Sequence, residues 1–215
     1  MVIEKIQKKD QDSVTVFISS GEKYTVNINT LITYSLQKGM EVTEELTENL
    51  KNEEERQEII ISALRYLAHR AHSSFEIQLK LERKKFKKHI IKEVILELTR
   101  KSYLNDAEFA QKYIHEMILK KKWGIKKMKS MLFQKGIRSE MVDIILAESE
   151  LIQLKTENIR ILCQKKYDSL KTTQNDLKVI KHKIFNYLIS RGFDYIDIKE
   201  TLDEIIPDQT LTFEE

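Results

Sequence analysis

The sequence predicts a mainly α-helical protein, with three tandem three-helix repeats behind a small N-terminal β-hairpin. Three observations predict it. Five glycines and one proline, Pro207, in 215 residues cannot supply the turns of a sandwich or barrel, which come about every 8–12 residues. Apolar residues make up 41% and charged residues 33%, with abundant Lys, Glu, Leu and Ile, a balance that favours helices. From Glu53 onward, apolar residues recur at the 3.6-residue helical period.

Several classes are excluded at once. No GxGxxG or GxxxxGK[ST] occurs, so a Rossmann fold and a P-loop are ruled out. A lone cysteine, Cys163, rules out a disulfide framework and a Cys-based zinc site, and it suits a reducing compartment. The first ten residues carry charge too early for a signal peptide. The longest apolar run, Ile59-Ile60-Ile61 and then Ala63-Leu64, is far short of a membrane span. A cytoplasmic, soluble monomer is expected.

The elements follow in order. Val14, Val16 and Ile18 alternate with polar residues, as do Tyr24, Val26 and Ile28, and Ser19-Ser20-Gly21-Glu22 between them reads as a turn. That is a β-hairpin, with room for a third strand around Val2–Ile6. Asn29 is placed to cap a short helix through Leu36, and Gly39 to end it. So small a sheet is marginal alone and must pack on the helices that follow. Residues 43–56 are acidic and lead into the next helix.

The helical stripes are Ile60, Leu64, Leu67 and Ala68; Ile77, Leu79 and Leu81; then Ile91, Val94, Ile95 and Leu98. Ser73 with Glu76, and Asn105 with Glu108, have capping-box spacing and mark helix starts. The second start opens a stripe of Phe109, Ala110, Tyr113, Ile114 and Met117. Later stripes are Met128, Met131 and Leu132; Met141, Val142, Ile145 and Leu146; Ile159, Leu162 and Cys163; Ile184 and Leu188; and Ile196, Ile198 and Leu202.

Three segments repeat one pattern: Ile77 to Phe86, Met128 to Ile137, and Ile184 to Phe193. Each reads apolar, three residues, Leu, three residues, Gly or Lys, apolar. The Gly/Lys positions, Lys85, Gly136 and Gly192, lie 51 and 56 residues apart. Val94-Ile95, Ile145-Leu146 and Thr201-Leu202 follow in register. Gly136 and Gly192 sit where a helix C-terminus wants a left-handed residue. Lys85 in that conformation carries a strain of roughly 1 kcal/mol, or the turn differs there. The implied organisation is an extension over 1–52, repeats over 53–104, 105–151 and 152–206, and a tail over 207–215.

Charge is unevenly spread. Residues 1–79 carry 9 Lys/Arg and 13 Asp/Glu, net −4; residues 80–138 carry 18 and 6, net +12; residues 139–215 carry 10 and 15, net −5. Two runs build the basic middle. One holds Arg83, Lys84, Lys87 and Lys88, and the other Lys120, Lys121, Lys122, Trp123, Lys126, Lys127 and Lys129. Clustered positive charge fits a phosphate backbone or an acidic surface, and the competing reading is a solvated helix face. If the repeats stack in parallel register, both runs fall along one side. Trp123 among lysines suits stacking on a base or anchoring an interface, or else it seals a joint between repeats.

Other residues read as structural. Asp106 favours a helix N-terminus, Phe109 and Ala110 pack inward, and Gly124, Gly136 and Gly192 serve turns. His69, His72 and Glu76 are separated by the break at Ser73, so neither a metal nor a cofactor is expected. Cys163 lies on an apolar stripe and reads as a buried small hydrophobe rather than a nucleophile.

Together these residues resemble the RecX family, bacterial regulators of the RecA recombinase. The likeness spans residues 59–206. It is carried by Ala63-Leu-Arg-Tyr-Leu-Ala-His-Arg70 with Ser73 and Glu76-Ile77; by Tyr103-Leu-Asn-Asp-Ala-Glu-Phe-Ala110; by Trp123-Gly124; by Leu132-Phe-Gln-Lys-Gly-Ile137; and by Ser190-Arg191-Gly192-Phe193. The sequence departs in having Lys85 where the family often has Gly, Ser190 where many members have Arg, and Ile77 in place of Leu. The resemblance implies three three-helix repeats in an elongated, curved array, and gives Arg191 and Phe193 a place in a structural motif. It implies a binder rather than an enzyme. Such a binder docks in the groove of the RecA–DNA filament, blocks its growth, and lowers ATP hydrolysis, strand exchange and the coprotease activity behind the SOS response. Contact with DNA is expected through the phosphate backbone, without sequence preference. A helical-repeat nucleic-acid binder with no recombinase partner is the alternative.

Overall fold

Alternation in the first 27 residues produces the expected hairpin, and the third strand for which the sequence left room does form. In the computed structural model, β1 (Ile3–Lys8), β2 (Ser13–Ile18) and β3 (Lys23–Asn27) form an antiparallel sheet in the order β1-β2-β3. The structure describes residues 1–147, 151–174 and 176–207, so the expected tail beyond Pro207 lies outside the described residues. The inward side chains Ile3, Val14, Val16, Ile18, Tyr24 and Val26 pack on Leu36, Val42, Leu46 and Leu50. Residues 39–42 run beside the start of β1, with Gly39 N–H donating to the Ile3 carbonyl at 2.8 Å and Ile3 N–H to Met40 at 2.9 Å.

Helix α1 (Ile28–Thr33) is capped by Asn27, whose side chain accepts from the Asn29 amide at 2.9 Å. The expected cap at Asn29 is therefore corrected by two residues. The last strand residue is already extended (φ −65°, ψ 148°), as an N-cap must be, so strand end and helix start coincide. Ile28, expected in the strand, opens the helix. The helix stops at Thr33, and Gly39 (φ +84°) serves the later turn toward β1 instead of the helix end.

Helix α2 (Glu44–His69) runs 26 residues from a Thr43 cap. The acidic stretch is thus the helix itself, with Glu44 and Glu45 at its positive end. One rod serves two cores. Leu46 and Leu50 close the sheet core, while Ile59 and Ala63 join a second core with Ile77, Leu81, Ile90, Ile91, Val94, Leu98 and Leu104. The 52/53 division lies within this helix.

Helices α3 (Ser74–Arg83) and α4 (Lys88–Arg100) complete the first repeat. The Ser73–Glu76 capping box forms as its spacing requires. Leu79 does not belong to the buried face: it is 37% exposed, because Ile77 and Leu81, four residues apart, already fill the contact. Arg56 of α2 pairs with Glu53 on its own helix and with Glu97 on α4.

The chain divides into two compact units at Asn105/Asp106. The second holds α5 (Asp106–Glu116), a π-helical turn (Met117–Lys121), α6 (Ile125–Phe133), α7 (Ser139–Ala147), α8 (Leu151–Leu170), α9 (Leu177–Ser190) and α10 (Tyr195–Ile205). Phe109, Ala110, Ile114, Met128, Leu132, Val142 and Leu146 build one core. Ile159, Cys163, Ile180, Ile184, Leu188, Phe193, Ile198 and Leu202 build another. Ile196 is 67% exposed and leaves the expected stripe, since Ile198 and Leu202 set the inward face of α10.

The repeated turn is the same in all three repeats. Lys85, Gly136 and Gly192 have φ of 66°, 77° and 89°. Each amide donates three residues back at 2.9 Å, to Glu82, Phe133 and Ile189. Lys85 therefore adopts the left-handed geometry and carries its strain.

Gly124 and Gly192 do more than turn the chain. The Gly124 amide donates to the Arg191 carbonyl at 2.9 Å and the Lys126 amide to the Gly192 carbonyl at 3.1 Å. A Cβ on Gly124 would lie 2.2 Å from the Gly192 carbonyl oxygen. The start of α6 and the turn after α9 thus meet backbone to backbone, which locks the second repeat to the third.

Three stability outcomes follow. Lys85→Gly raises the melting temperature by relieving roughly 1 kcal/mol of left-handed strain, read by thermal denaturation. Gly124→Ala forces the backbones apart and costs at least the roughly 1–3 kcal/mol of ordinary overpacking. Phe109→Ala removes a buried ring and costs about 3–5 kcal/mol by chemical denaturation; an unchanged melting midpoint contradicts its place in the core.

Candidate functional site

The first basic run spans the end of α3, the left-handed turn and the start of α4. Its lysines divide by what they touch. Lys87 is anchored: its Nζ lies 2.8 Å from Glu48 and 2.7 Å from Asn52, and its amide donates to the Glu55 carboxylate at 2.6 Å. The hydrogen bond to Glu48 raises the Lys87 pKa and lowers that of Glu48. Lys84 donates to Ser62 at 3.1 Å and lies 5.6 Å from the Tyr66 ring centre. Arg83, Lys85 and Lys88 are exposed and make no ion pair or side-chain hydrogen bond among the described residues. They are the uncommitted charges of this turn, and Lys85 joins them through its conformation.

The second run lies within the second unit and crosses a backbone irregularity. The π-helical turn Met117–Lys121 ends at Lys122, which is left-handed (φ 52°). Such turns leave carbonyls without their helical partners. Asn158, buried on α8, repairs this: its amide donates to the Ile118 carbonyl at 2.9 Å, and its oxygen accepts from Lys122 Nζ at 2.9 Å. This polar latch has no signal in the sequence, because its partners are 36 and 40 residues away.

Lys122, Trp123, Lys126, Lys127 and Arg191 converge on the joint between α6 and the turn after α9. Lys127 Nζ sits 4.7 Å from the Trp123 ring centre and 3.3 Å from the Ser190 carbonyl. The Arg191 guanidinium lies over Tyr187 at 5.2 Å and donates to the Lys121 carbonyl at 3.2 Å. Lys126 pairs with Asp194 at 2.9 Å. Lys120 and Lys129 pair with Glu116 and Asp143 and stay apart from the cluster. Trp123 is half-buried against the core of Phe109, Ile114, Met128 and Leu132 and so both seals the joint and carries a cation on its ring. Lys121, Lys122, Lys127 and Arg191 have no carboxylate partner among the described residues. Four cations and two aromatic rings on one surface fit an anionic polymer, and two of the cations are held over the rings.

The residues the sequence singles out for possible chemistry are engaged in the fold. Cys163 is fully buried, and burial pushes its thiol up to about 11, so it stays protonated near neutrality. His72 Nδ1 contacts the Arg70 carbonyl at 2.9 Å, and burial lowers its pKa. Glu76 accepts from Arg70 and belongs to the capping box. Among the described residues no group of three His, Cys, Asp or Glu is arranged to hold a metal. Among them, too, no helix is long and apolar enough to cross a membrane.

Known proteins share this architecture. Residues 61–98 match the family model of the first three-helix domain of RecX, and residues 105–146 that of the second. The regulatory protein RecX of Clostridium acetobutylicum is 30% identical over 200 residues, which covers 93% of this chain and 92% of the relative. That of Clostridioides difficile is 29% identical over 207 residues, covering 95% and 96%. A crystal structure of a regulatory protein RecX shares the fold with a TM-score of 0.80 at 20% identity, over 94% of this chain and all of the other. The RecX structure from Lactobacillus salivarius gives 0.63 at 24% identity, over 70% and 96%. With two RecX domains in order and a near full-length relative at 30% identity, the chain belongs to the RecX family.

Proposed function

We propose that this protein binds the RecA–DNA filament and restrains it, lowering ATP hydrolysis, strand exchange and coprotease activity, and so tempering recombinational repair and the SOS response. It acts in the cytoplasm, as a monomer and as a binder rather than an enzyme. Family membership supports the partner. The observation that carries the contact surface is the cluster of Lys121, Lys122, Lys127 and Arg191 around Trp123 and Tyr187. A filament groove presents DNA phosphates and protein carboxylates, and unpaired cations on a rigid joint lose little entropy in meeting them. Arg83, Lys85 and Lys88 supply a second basic turn on the first unit. Binding to DNA alone is weak, indifferent to sequence and reduced by salt, because released counterions provide its free energy.

The deciding measurement is the ATPase of the cognate recombinase on single-stranded DNA, with and without this protein. Inhibition is expected, and none at saturating protein overturns the reading. The double variant Lys121→Glu/Lys127→Glu moves formal net charge from +3 to −1 and keeps good helix formers. Its association is expected to slow by roughly tenfold at low salt, and less as salt rises. Reversal of Glu200 and Asp203 to Lys, on α10, is expected to leave binding intact.

A further inference from the structure

The N-terminal sheet has a second face that its core does not use. Because side chains alternate along a strand, Lys5, Gln7, Ser13, Thr15, Phe17, Lys23, Thr25 and Asn27 point away from Val14, Val16, Tyr24 and Val26. Register places them in rows across the strands. Lys5 lies opposite Phe17, and Phe17 opposite Lys23; Gln7 lies opposite Thr15, and Thr15 opposite Thr25. The central strand thus presents an aromatic ring with a lysine on either side. The next row offers only hydroxyl and amide groups. Neither row of paired residues contains a carboxylate; Glu4 sits in the bulge beside Lys5 and Glu22 in the turn before Lys23, both exposed.

The charges of the first row are available. Lys5 and Lys23 are exposed, and neither forms an ion pair among the described residues. Lys5 Nζ lies 5.7 Å from the Phe17 ring centre and 3.0 Å from Gln7 Oε1. Phe17 and both threonines are half-buried rather than covered. Glu54 of α2 accepts the Thr25 backbone amide at 2.9 Å and so caps the edge of β3.

We propose that this face binds single-stranded nucleic acid, with one base stacked on Phe17 and the phosphates on its two sides held by Lys5 and Lys23. Adjacent strands are about 4.8 Å apart, so the two lysine backbones flank the ring at roughly 10 Å from each other. A nucleotide with its two phosphates uses all three residues at once. Aromatic residues on a central strand of an open sheet are the usual platform for unpaired bases, and the stack tolerates any base because every base has a π face. Gln7, Thr15 and Thr25 offer hydrogen bonds to sugar or base edges of the neighbouring nucleotide. Strand addition by a peptide fits less well. Residues 39–42 occupy the start of the β1 edge, and Glu54 takes an amide on the β3 edge. An acidic peptide gains from the lysines but has no use for the ring between them.

The site shares no residue with the Trp123 cluster and does not depend on a recombinase. The test uses the full chain and fluorescently labelled oligothymidylate, read by anisotropy at low salt. Phe17→Leu is expected to weaken single-strand binding roughly tenfold while duplex binding is unchanged, because paired bases cannot stack on the ring. Phe17→Tyr is expected to retain affinity. Lys5→Glu/Lys23→Glu, on exposed positions, weakens the same binding and serves if Phe17→Leu fails to fold. An oligonucleotide carrying 5-iodouracil is expected to cross-link to Phe17. Unchanged affinity in both variants, with adducts only at Trp123, overturns the proposal. So does displacement of the DNA by polyglutamate whose own binding falls equally in Phe17→Leu, since the face then serves acidic polypeptides. The Lys121/Lys127 reversal, read on the recombinase ATPase, reports independently on the filament reading.

Discussion

One backbone conformation sets the geometry of every repeat. The second helix of each passes to the third through a residue that turns left-handed, with its amide bonded three residues back. Chirality makes that conformation costly for any side chain with a Cβ. Two repeats meet the constraint with Gly136 and Gly192, and the first with Lys85. Once the turn is set, the following apolar residue, Ile137 or Phe193, is carried under the helix pair and buried. The helix faces then follow from where that residue falls. The second and third repeats go further, because the turn at Gly192 is also the surface on which Gly124 rests. A local turn becomes the joint between neighbouring units, and the basic cluster is built on that joint.

The charged surface owes its character to geometry more than to composition. Lysines are numerous, yet many are spent on nearby carboxylates as exposed pairs worth about 0–1 kcal/mol each. Lys87 holds α4 to α2 through Glu48, and Lys126 holds α6 to Asp194. What separates Lys121, Lys122, Lys127 and Arg191 is the backbone around them. The π-helical turn and the left-handed Lys122 carry the run toward Trp123 and the Arg191 turn, where rings and carbonyls are the neighbours of these four and the nearby Asp194 pairs with Lys126.

Much of this was legible in the sequence, and the rest fails for identifiable reasons. The repeat could be read because glycines at Gly136 and Gly192 mark a conformation other residues avoid; at Lys85 the sequence left strain and a different turn both open, and the structure shows the left-handed one. The Ser73–Glu76 cap is local and was legible for the same reason. The choice of Asn27 over Asn29 was not, since both suit a cap and the strand decides between them. Leu79 and Ile196 look like core by spacing alone, and are excluded by four-residue neighbours that already fill the contact. Of the candidate site, the two runs could be seen but their sorting could not. Lys87 meets Glu48 at a separation of 39 residues, and Asn158 meets Ile118 at 40, and no periodicity reports such pairs.

Helix α2 has a consequence for how the first unit comes apart. Its first half completes the sheet core through Leu46 and Leu50, and its second half completes the repeat core through Ile59 and Ala63. No loop separates the halves, so there is no place for a boundary at which one could melt and the other persist cheaply. Fraying the helix from Thr43 exposes apolar groups of the sheet and shortens the rod whose far half carries Ile59 and Ala63. The sheet and the first repeat therefore behave as one cooperative block, in which amides on both sides of residue 52 exchange with solvent through a shared opening. The extension is less an appendage on a helical protein than the far end of its first helix pair.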